Sequence, residues 1–380
     1  MTSSFNFTEN TNVSLIAFIY GGVATADFDK DDNTDILLTG LSIEGYAVSP
    51  IYINNGSGDF SFNTNASFFP PSVNRGSVVT ADFDSDGDTD ILLTGYDSSP
   101  NFISQIYSNN GSGDFSENTD VSLPSIVFSS VATADFDKDG DVDILLTGLG
   151  ASAIISQIYT NNGSEGFSQN TNVSLPGVFT SSVATADFDN DGDTDILLTG
   201  FDGSTAISQI YTNNGSGGFS QNTNVSLPMF LTGSVTTVDF DKDGDTDILI
   251  TGIGDNGPMS QIYTNNGSGG FSQNTNVSLP GVYFSSVATA DFDKDGDIDI
   301  LLTGNDSSID LVNPYAMSTI SKIYTNNGSG GFSENTNVSL TGVFKSSVAT
   351  ADFDKDGYTD ILLMGYDISK NIIVQVYTNA

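Results

Sequence analysis

The chain contains no cysteine and no histidine among its 380 residues. Without cysteine, neither a disulfide framework nor a thiolate metal site can form, although this absence does not fix the cellular compartment. The lack of histidine removes the commonest general base of enzymes and the commonest ligand of transition metals. Both absences weigh against a transition-metal site and against most general-base catalysis.

Basic residues are scarce as well. Nine Lys and Arg residues stand against 48 Asp and Glu residues, which gives a formal net charge of −39. We expect no nucleic-acid partner, because phosphate binding needs clusters of Lys and Arg. No apolar run reaches the roughly 18 residues of a membrane span. The N-terminus also lacks the basic and apolar regions of a signal peptide, although a precursor could have lost one.

The acidic residues are concentrated in seven copies of one motif, of which DFDNDGDTDILLTG (187–200) is representative. The copies begin at Asp27, Asp82, Asp135, Asp187, Asp239, Asp291 and Asp352. Each of the first six loops holds five acids and the last holds four, so that the loops contain 34 of the 48 acids. Carboxylates packed this closely repel each other unless a cation is present.

The copies start 55, 53, 52, 52, 52 and 61 residues apart. A period near 50 with strand-like content is typical of propeller blades. In the unit 181–227 we predict four strands, SSVATADF, DILLTG, ISQIYTN and FSQNTNVSL, separated by the Asp loop, FDGSTA and NNGSGG. Asn-Gly and Gly-Gly steps supply the positive φ that tight hairpins need. No segment shows a sustained helical period, so no helix is expected.

The two termini complement each other. The last unit stops after its third strand, VQVYTN (374–379), and the chain begins with FNFTENTNVSL (5–15), which matches the fourth strand FSQNTNVSL. The N-terminal strand should therefore complete the last blade and leave no unfinished edge. The predicted fold is all-β: a single domain over residues 1–380, built as a closed seven-bladed β-propeller of four-stranded antiparallel blades.

The two faces of such a disc differ. In a four-stranded meander the first and third turns lie on one face, and the second turn and the inter-blade link lie on the other. The first and third turns are nearly identical in all copies, whereas the second turn varies and expands to NDSSIDLVNPYAMS (305–318) in the sixth unit. We therefore expect a protein or glycan ligand on the variable face. The candidate ligand-binding residues are Tyr46, Arg75, Tyr96, Phe102, Phe201, Asp255, Asn313, Tyr315 and Tyr366.

The chemistry of the Asp loop favours a hard divalent cation. Ca²⁺ takes 6–8 oxygen ligands in flexible geometry, whereas Mg²⁺ demands stricter octahedral sites. Side chains at loop positions one, three and five can converge on one ion, the carbonyl at position seven can join them, and position nine closes the site. An EF-hand would need a Glu at position twelve, which is Leu198 here. An acidic turn that holds Mg²⁺ or no metal remains an alternative.

The repeated DxDxDGxxD loop followed by an apolar strand resembles the FG-GAP/VCBS repeats of integrin α-subunit heads and of many bacterial surface proteins, over essentially the whole chain. The resemblance implies a seven-bladed propeller with about seven Ca²⁺ ions, one per blade, and partners on the opposite face. It also implies metal ligands at Asp27, Asp29, Asp31, Asn33 (carbonyl) and Asp35; Asp82, Asp84, Asp86, Asp88 (carbonyl) and Asp90; Asp135, Asp137, Asp139, Asp141 and Asp143; Asp187, Asp189, Asp191, Asp193 and Asp195; Asp239, Asp241, Asp243, Asp245 and Asp247; Asp291, Asp293, Asp295, Asp297 and Asp299; and Asp352, Asp354, Asp356, Tyr358 (carbonyl) and Asp360.

One loop departs from the pattern. The first loop carries Asp32 where the others have Gly, which should strain the turn and weaken that site.

Some repeated residues are predicted to be structural. The Phe of each DFD and the Tyr of each third strand should pack in the core. We interpret the Lys at loop position four as a solvated charge. Five recurrent Phe residues before the first strands are interpreted as packing residues: Phe128, Phe179, Phe230, Phe284 and Phe344.

Three functions are compatible with these features. The first is a non-enzymatic, extracellular or cell-surface module for adhesion or for glycan or protein recognition, in which calcium is structural because its binding energy becomes folding energy. The second is a polysaccharide lyase, which would need a base and anion-stabilising groups. The third is a purely architectural subunit of a larger assembly. We favour the first, because the chain has no His and a single Arg.

Overall fold

Each Asp loop leads directly into a strand that is buried along almost its whole length, as in Asp195–Phe201. A strand that is apolar on both faces needs a packing layer on each side. The computed structural model describes residues 5–42, 45, 47–64, 71, 73–99, 101–163, 166–307 and 318–380. Across these residues it contains 30 β-strands and no α-helix.

The strands are numbered in chain order. The N-terminal strand and the first unit comprise β1 (Phe7–Glu9), β2 (Val23–Ala26), β3 (Asp35–Leu38), β4 (Gly40–Leu41), β5 (Ala47–Val48), β6 (Ile51–Asn54) and β7 (Phe60–Phe62). The second and third units comprise β8 (Val78–Ala81), β9 (Asp90–Tyr96), β10 (Phe102–Asn109), β11 (Phe115–Glu117), β12 (Ile126–Ala134), β13 (Asp143–Gly150), β14 (Ile154–Asn161) and β15 (Phe167–Gln169).

The remaining units repeat this order. The fourth and fifth comprise β16 (Phe179–Ala186), β17 (Asp195–Phe201), β18 (Ala206–Asn213), β19 (Phe219–Gln221), β20 (Val235–Val238), β21 (Asp247–Gly254), β22 (Gly257–Asn265) and β23 (Phe271–Gln273). The sixth and seventh comprise β24 (Tyr283–Ala290), β25 (Asp299–Asn305), β26 (Thr319–Asn326), β27 (Phe332–Glu334), β28 (Phe344–Ala351), β29 (Asp360–Tyr366) and β30 (Ile372–Asn379).

The strands form repeated four-stranded antiparallel meanders, and the short strands β4 and β5 form a separate two-stranded pair. In the fourth unit Leu197 of β17 lies between Ala184 of β16 and Ile210 of β18. The meanders of the second and third units are joined into one larger sheet through Ile103 and Ile126. The predicted strand order within each unit is confirmed.

The N-terminal strand is the fourth strand of the last unit. Strand β1 pairs antiparallel with β30, so that Phe7 lies opposite Asn379 and Glu9 lies opposite Tyr377. The fourth strands are shorter than predicted, however, and β19 spans three residues instead of nine. Six of them end where an Asn side chain caps the next turn, as when the amide of Asn224 donates to Asn222 Oδ1. Such Asx turns compete with strand pairing.

Aromatic side chains join neighbouring units. The Phe of each DFD is buried, as predicted, and so is the Tyr of each third strand. Each DFD Phe contacts a fourth-strand Phe of the following unit edge-on, at centroid distances of 5.4–6.2 Å. The pairs are Phe28–Phe115, Phe83–Phe167, Phe136–Phe219, Phe188–Phe271, Phe240–Phe332, Phe292–Phe7 and Phe353–Phe60. The N-terminal Phe7 thus packs as a fourth-strand residue.

An asparagine at the end of each third strand hydrogen-bonds to the preceding unit. Its side-chain amide donates to the carbonyl oxygen of a DFD Phe at 2.7–3.0 Å. The bonds run from Asn54 to Phe353, Asn109 to Phe28, Asn161 to Phe83, Asn213 to Phe136, Asn265 to Phe188, Asn326 to Phe240 and Asn379 to Phe292. The innermost strands also contact one another in sequence, and β2 contacts both β8 and β28.

Candidate functional site

The Asp loop folds on its own carboxylates. In the fourth unit Asp187 accepts hydrogen bonds from the amides of Asp191 (3.2 Å) and Gly192 (2.8 Å), and Asp191 accepts one from the amide of Asp193. Asn190 at position four and Gly192 at position six both have positive φ, 59° and 87°. The loop is therefore a tight reversal in which carboxylates at alternate positions turn inward.

The position-nine carboxylate anchors the loop in the sheet. Asp195 is fully buried; its Oδ2 accepts from the amide of Phe188 at 2.9 Å and its Oδ1 from the amide of Asn213 at 2.8 Å. Burial raises the pKa of this carboxyl to about 6, although the two amide donors oppose the shift. Burial likewise raises the position-nine pKa to about 7 at Asp35, Asp90, Asp143 and Asp299 and to about 6 at Asp247 and Asp360.

Seven groups of acidic oxygens in the described part of the chain lie close enough to hold a metal ion. In the fourth unit the group comprises Asp187, Asp189 and Asp195, each of which offers an oxygen within 4.8 Å of the others. The position-three carboxylate has a raised pKa, first because of burial and then because of the charges of Asp191 and Asp187. Without a cation, such a loop must fold against the repulsion of its own charges.

Several of these buried oxygens have no hydrogen-bond partner among the described residues. They belong to position three or position one of their loops: Asp29, Asp137, Asp189, Asp239, Asp241 and Asp352. Since an unpaired buried polar atom costs free energy, each calls for a partner. An all-oxygen set with orphaned carboxylates fits Ca²⁺ and does not suit metals that prefer sulfur or imidazole. All the predicted ligands lie in these loops, and their role as ligands stays a prediction.

The position-four and position-seven side chains link neighbouring loops. Lys30 pairs with Asp88 of the next unit, as Lys138 does with Asp193 and Lys242 with Asp297. Elsewhere Ser85 donates to Asp141 at 2.8 Å, Asn190 donates to Asp245 at 2.5 Å, and Lys294 lies over the ring of Tyr358. The paired position-four Lys side chains are about half exposed, as expected for a solvated charge, and they also form contacts between units because the loops lie close together. These contacts use the position-seven side chain and leave its carbonyl for a metal.

The first loop is strained at Asp32. This residue has a φ of 66°, in the left-handed region that glycine adopts without cost and that other residues seldom occupy. We expect Asp32→Gly to stabilise the calcium-loaded protein by about 1 kcal/mol. The converse change in the fourth loop, Gly192→Asp, should lower the free energy of unfolding by a similar amount. Chemical denaturation of the two variants would measure this, and equal stabilities would contradict the strain.

The described candidate ligand-binding residues come from several units, and two of them lie beside the pocket described below: the Tyr96 ring is 6.3 Å from that of Phe128, and Lys345 Nζ is 5.9 Å from the centroid of the Tyr366 ring. Tyr46, Asn313 and Tyr315 lie outside the described residues. Asp255 is exposed in the turn between β21 and β22. Arg75 lines a pocket that is described below.

The aromatic candidates lie at the ends of second or third strands, with Tyr96 and Phe102 in the second unit, Phe201 in the fourth and Tyr366 in the seventh. Each has an aromatic neighbour within its own unit. The pairs are Tyr96 with Phe102 (5.1 Å between centroids), Phe201 with Phe179 (5.6 Å) and Tyr366 with Phe344 (5.4 Å).

The pocket that contains Arg75 is surrounded by all seven units. Its volume is about 450 Å³. Each unit contributes a pair of residues, from a bulge at the start of its first strand in the third, fourth, sixth and seventh units and from just before that strand in the others. The first members of these pairs are Tyr20, Arg75, Phe128, Thr180, Thr232, Phe284 and Lys345. We name this cavity the bulge pocket.

Sequence reasoning missed most of the bulge pocket. Phe284 lines it with its side chain exposed, so its interpretation as a packing residue is wrong; Phe128 lines it too but also packs edge-on against Tyr96, and Phe230 and Phe344 are buried as expected. A signal was present in the sequence. In every copy the pocket residue directly precedes two small residues (Gly or Ser) and a Val, and it alone changes from Tyr to Arg, Phe, Thr or Lys in this constant frame.

Comparison with family models decides the identity of the repeat. The model described as "FG-GAP-like repeat" matches residues 42–93, 82–146, 156–198, 187–250, 239–302 and 305–363. These six segments cover most of the chain. The chain belongs to the FG-GAP-like repeat family. Comparison with curated proteins gives no sequence match.

Solved structures place this FG-GAP chain among the β-propellers. BBS1N, in the "Crystal structure of BBS1N in complex with ARL6DN, soaked with lead", is 11% identical with a TM-score of 0.51, over 98% of this chain and 96% of that one. AofleA from Arthrobotrys oligospora is 11% identical with a TM-score of 0.46, over 99% and 92%. RS223-Beta-xylosidase is 9% identical with a TM-score of 0.36, over 65% and 89%. At such identities only the fold follows, and only from the first.

Proposed function

We propose that this FG-GAP propeller is a calcium-stabilised, non-enzymatic binding module that recognises a glycan or protein ligand outside the cell or at its surface. In this proposal the seven units close into one seven-bladed ring. Seven Asp loops hold the ring in shape, and the ligand binds at the opposite face. FG-GAP repeats are typical of extracellular or surface proteins, and multi-carboxylate calcium sites suit calcium-rich surroundings.

Ring closure is supported by contacts between the last and the first unit. Phe353 packs against Phe60, and Asn54 donates to the carbonyl of Phe353, as the corresponding residues do between other neighbours. Asn10, just beyond β1, donates to Gly58 O at 3.0 Å, as Asn63 of the first unit does to Gly113 O of the second. A seventh unit that meets the first in the same way as every other pair favours a closed ring.

The calcium role is supported by the orphaned carboxylate oxygens in the Asp loops. Seven Ca²⁺ ions would bring fourteen positive charges to a chain whose formal net charge is −39. Because the position-nine carboxylate ties the loop to the second and third strands, an ion held there would also stabilise the sheet.

In the part of the chain that the structure describes, no helix has the length and apolar character that crossing a membrane requires.

The observation that carries the binding function is the contrast between the two ends of the units. The Asp loop is almost the same in all seven copies, as a scaffold requires, whereas the bulge-pocket residues at the other end of the first strand differ in chemistry. A residue that is the same in every copy is typical of a structural role. Residues that differ from copy to copy within an otherwise constant segment are typical of ligand recognition.

Ligand screening of the calcium-loaded protein tests this function. We expect a glycan array or pull-down of surface components to yield a ligand whose binding is lost in EDTA and restored by calcium. A control screen uses Lys322→Met, on an outer strand and away from every candidate ligand-binding residue, which should fold normally and keep the ligand. Release of unsaturated uronate from acidic polysaccharides would contradict the non-enzymatic proposal and favour a lyase. Absence of any ligand, with a stable fold, would favour an architectural subunit.

A further inference from the structure

The wall of the bulge pocket is held in an uncommon backbone conformation. All seven pocket residues have φ between 46° and 57°, in the left-handed region, and two of them, Thr180 and Thr232, are β-branched. Such residues rarely adopt this conformation, and strain of this kind clusters at functional sites. Backbone hydrogen bonds between units hold these residues in place. The amide of Arg75 donates to the carbonyl oxygen of Tyr20 (2.5 Å), and the amide of Phe128 donates to that of Arg75 (2.6 Å).

Two of the nine basic residues of the chain lie at this pocket. The Arg75 guanidinium carbon lies 5.3 Å from the Tyr20 ring centroid, and Lys345 Nζ lies 4.7 Å from the same centroid. Neither Arg75 nor Lys345 forms an ion pair with any acidic residue that the structure describes, although the chain has a large excess of acids. Lys345 donates instead to Tyr20 Oη at 2.8 Å, which leaves the Tyr20 proton free to donate.

The Arg75 and Lys345 side of the pocket is flanked by apolar rings. Arg75 lies 5.3 Å from the Phe128 ring and Lys345 5.4 Å from the Phe284 ring. Phe284 is 37% exposed, an unusual exposure for a Phe in this fold. On the other side, Thr180 and Thr232 offer hydroxyl groups, and Thr180 Oγ1 donates to Phe179 O while its lone pairs remain able to accept. The pocket therefore combines cations, ring faces and hydroxyl groups.

The acidity of the chain does not prevent an anion from binding here. Lys345 and Asp352 lie at opposite ends of one strand, about 23 Å apart for seven residues of extended chain. The Debye length at physiological ionic strength is about 8 Å, so the Asp loops are largely screened from the pocket. Calcium in the loops would weaken the repulsion further.

We propose that the bulge pocket binds a hydroxylated organic carboxylate, such as a uronic acid residue, with its carboxylate between Arg75 and Lys345 and its body against Tyr20, Phe128 and Phe284. The hydroxyl groups of the ligand bond to Thr180 and Thr232 on the other side. The volume of about 450 Å³ lies within the range of small-ligand pockets. This inference rests on the proposed binding function and names its site and its ligand class.

Isothermal titration calorimetry with glucuronate and galacturonate, as free sugars and as the terminal residue of an oligosaccharide, tests the proposal. We expect millimolar or tighter binding of a uronate and no binding of glucose or galactose at the same concentration. The double variant Arg75→Gln/Lys345→Met should weaken uronate binding at least about 10-fold, because it removes both cations that would hold the carboxylate. Binding of the free sugar and of the oligosaccharide end would be weakened together if both use this pocket.

The matched control is Lys322→Met, which removes a cation that pairs with Glu334 on the outer strands and should leave uronate affinity unchanged. Melting curves in calcium verify that each variant folds. The proposal is overturned if neither uronate binds up to about 10 mM, or if the double variant binds as tightly as the parent. A glycan or protein ligand found in the screen that still binds the double variant would refute this pocket while the binding function stands.

Discussion

Removal of calcium with EDTA should lower the melting temperature of this FG-GAP propeller by about 20 °C. One site filled at 100 times its dissociation constant stabilises the folded state by about 2.7 kcal/mol, so seven sites supply about 19 kcal/mol. Unfolding entropy near 2.1 cal/mol/K per residue amounts to about 0.8 kcal/mol/K for a 380-residue chain. Their ratio gives the expected shift.

The physical reason lies in the orphaned oxygens of the Asp loops. Without an ion, buried oxygens such as Asp189 Oδ1 have no partner, and three or more carboxylates share a small volume. Differential scanning calorimetry in calcium, in EDTA and after calcium is restored measures the effect. Asp189→Asn should lower the melting temperature in calcium, whereas Asp255→Asn in an exposed turn should not. An unchanged melt in EDTA would refute the structural role of calcium.

The difference in melting temperature between calcium and EDTA should depend on pH. In the metal-free protein, burial raises the pKa of the position-nine carboxyls well above that of an ordinary Asp, to about 6 at Asp195 and about 7 at Asp35. The folded state then holds protons that the unfolded chain releases, so the contribution of these carboxyls to the stability of the metal-free protein is complete below about pH 4 and is lost as the pH rises to about 7. The difference between calcium and EDTA should accordingly be larger at pH 8 than at pH 5.

The sequence predicts the repeated parts of the molecule well. The Asp-loop copies mark the repeated units, the apolar DILLTG segments give the buried second strands, and the match between the two termini gives the pairing of β1 with β30. Each of these features is local or repeated. Periodicity and turn chemistry are therefore sufficient to predict them.

Contacts between units were harder to predict. The pairing of Lys138 with Asp193 depends on how closely neighbouring loops approach, which the spacing along the chain does not give. The bulge pocket depends on left-handed conformations at Phe128 and Thr180, residues whose types do not favour it. A residue forced into such a conformation by its surroundings leaves only an indirect signal, namely one variable position in a constant frame. Copy-by-copy comparison would have found it.

Deletion of residues 2–15 should be the second most damaging change. It removes β1, and with it the buried side chains of Phe5 and Phe7 and the edge contact of Phe7 with Phe292. Loss of a buried Phe costs about 3–5 kcal/mol, so the two together cost about 6–10 kcal/mol. For a chain of this length that corresponds to a fall in melting temperature of about 10 °C. The exposed edge of β30 should also promote self-association.

Point variants show whether the destabilisation comes from the lost packing of β1 or from the shortening of the chain. Phe7→Ala should reproduce a large part of the destabilisation, whereas Ile16→Ala, at a side chain that is 49% exposed, should be nearly neutral. A synthetic peptide of residues 2–15 added to the truncated protein should restore the melting temperature, because β30 presents the same backbone donors and acceptors to a strand supplied in trans. If the truncated protein melts at the same temperature as the full chain, β1 does not close the ring. The last unit would then be stable with three strands, and the packing of Phe7 against Phe292 would contribute little.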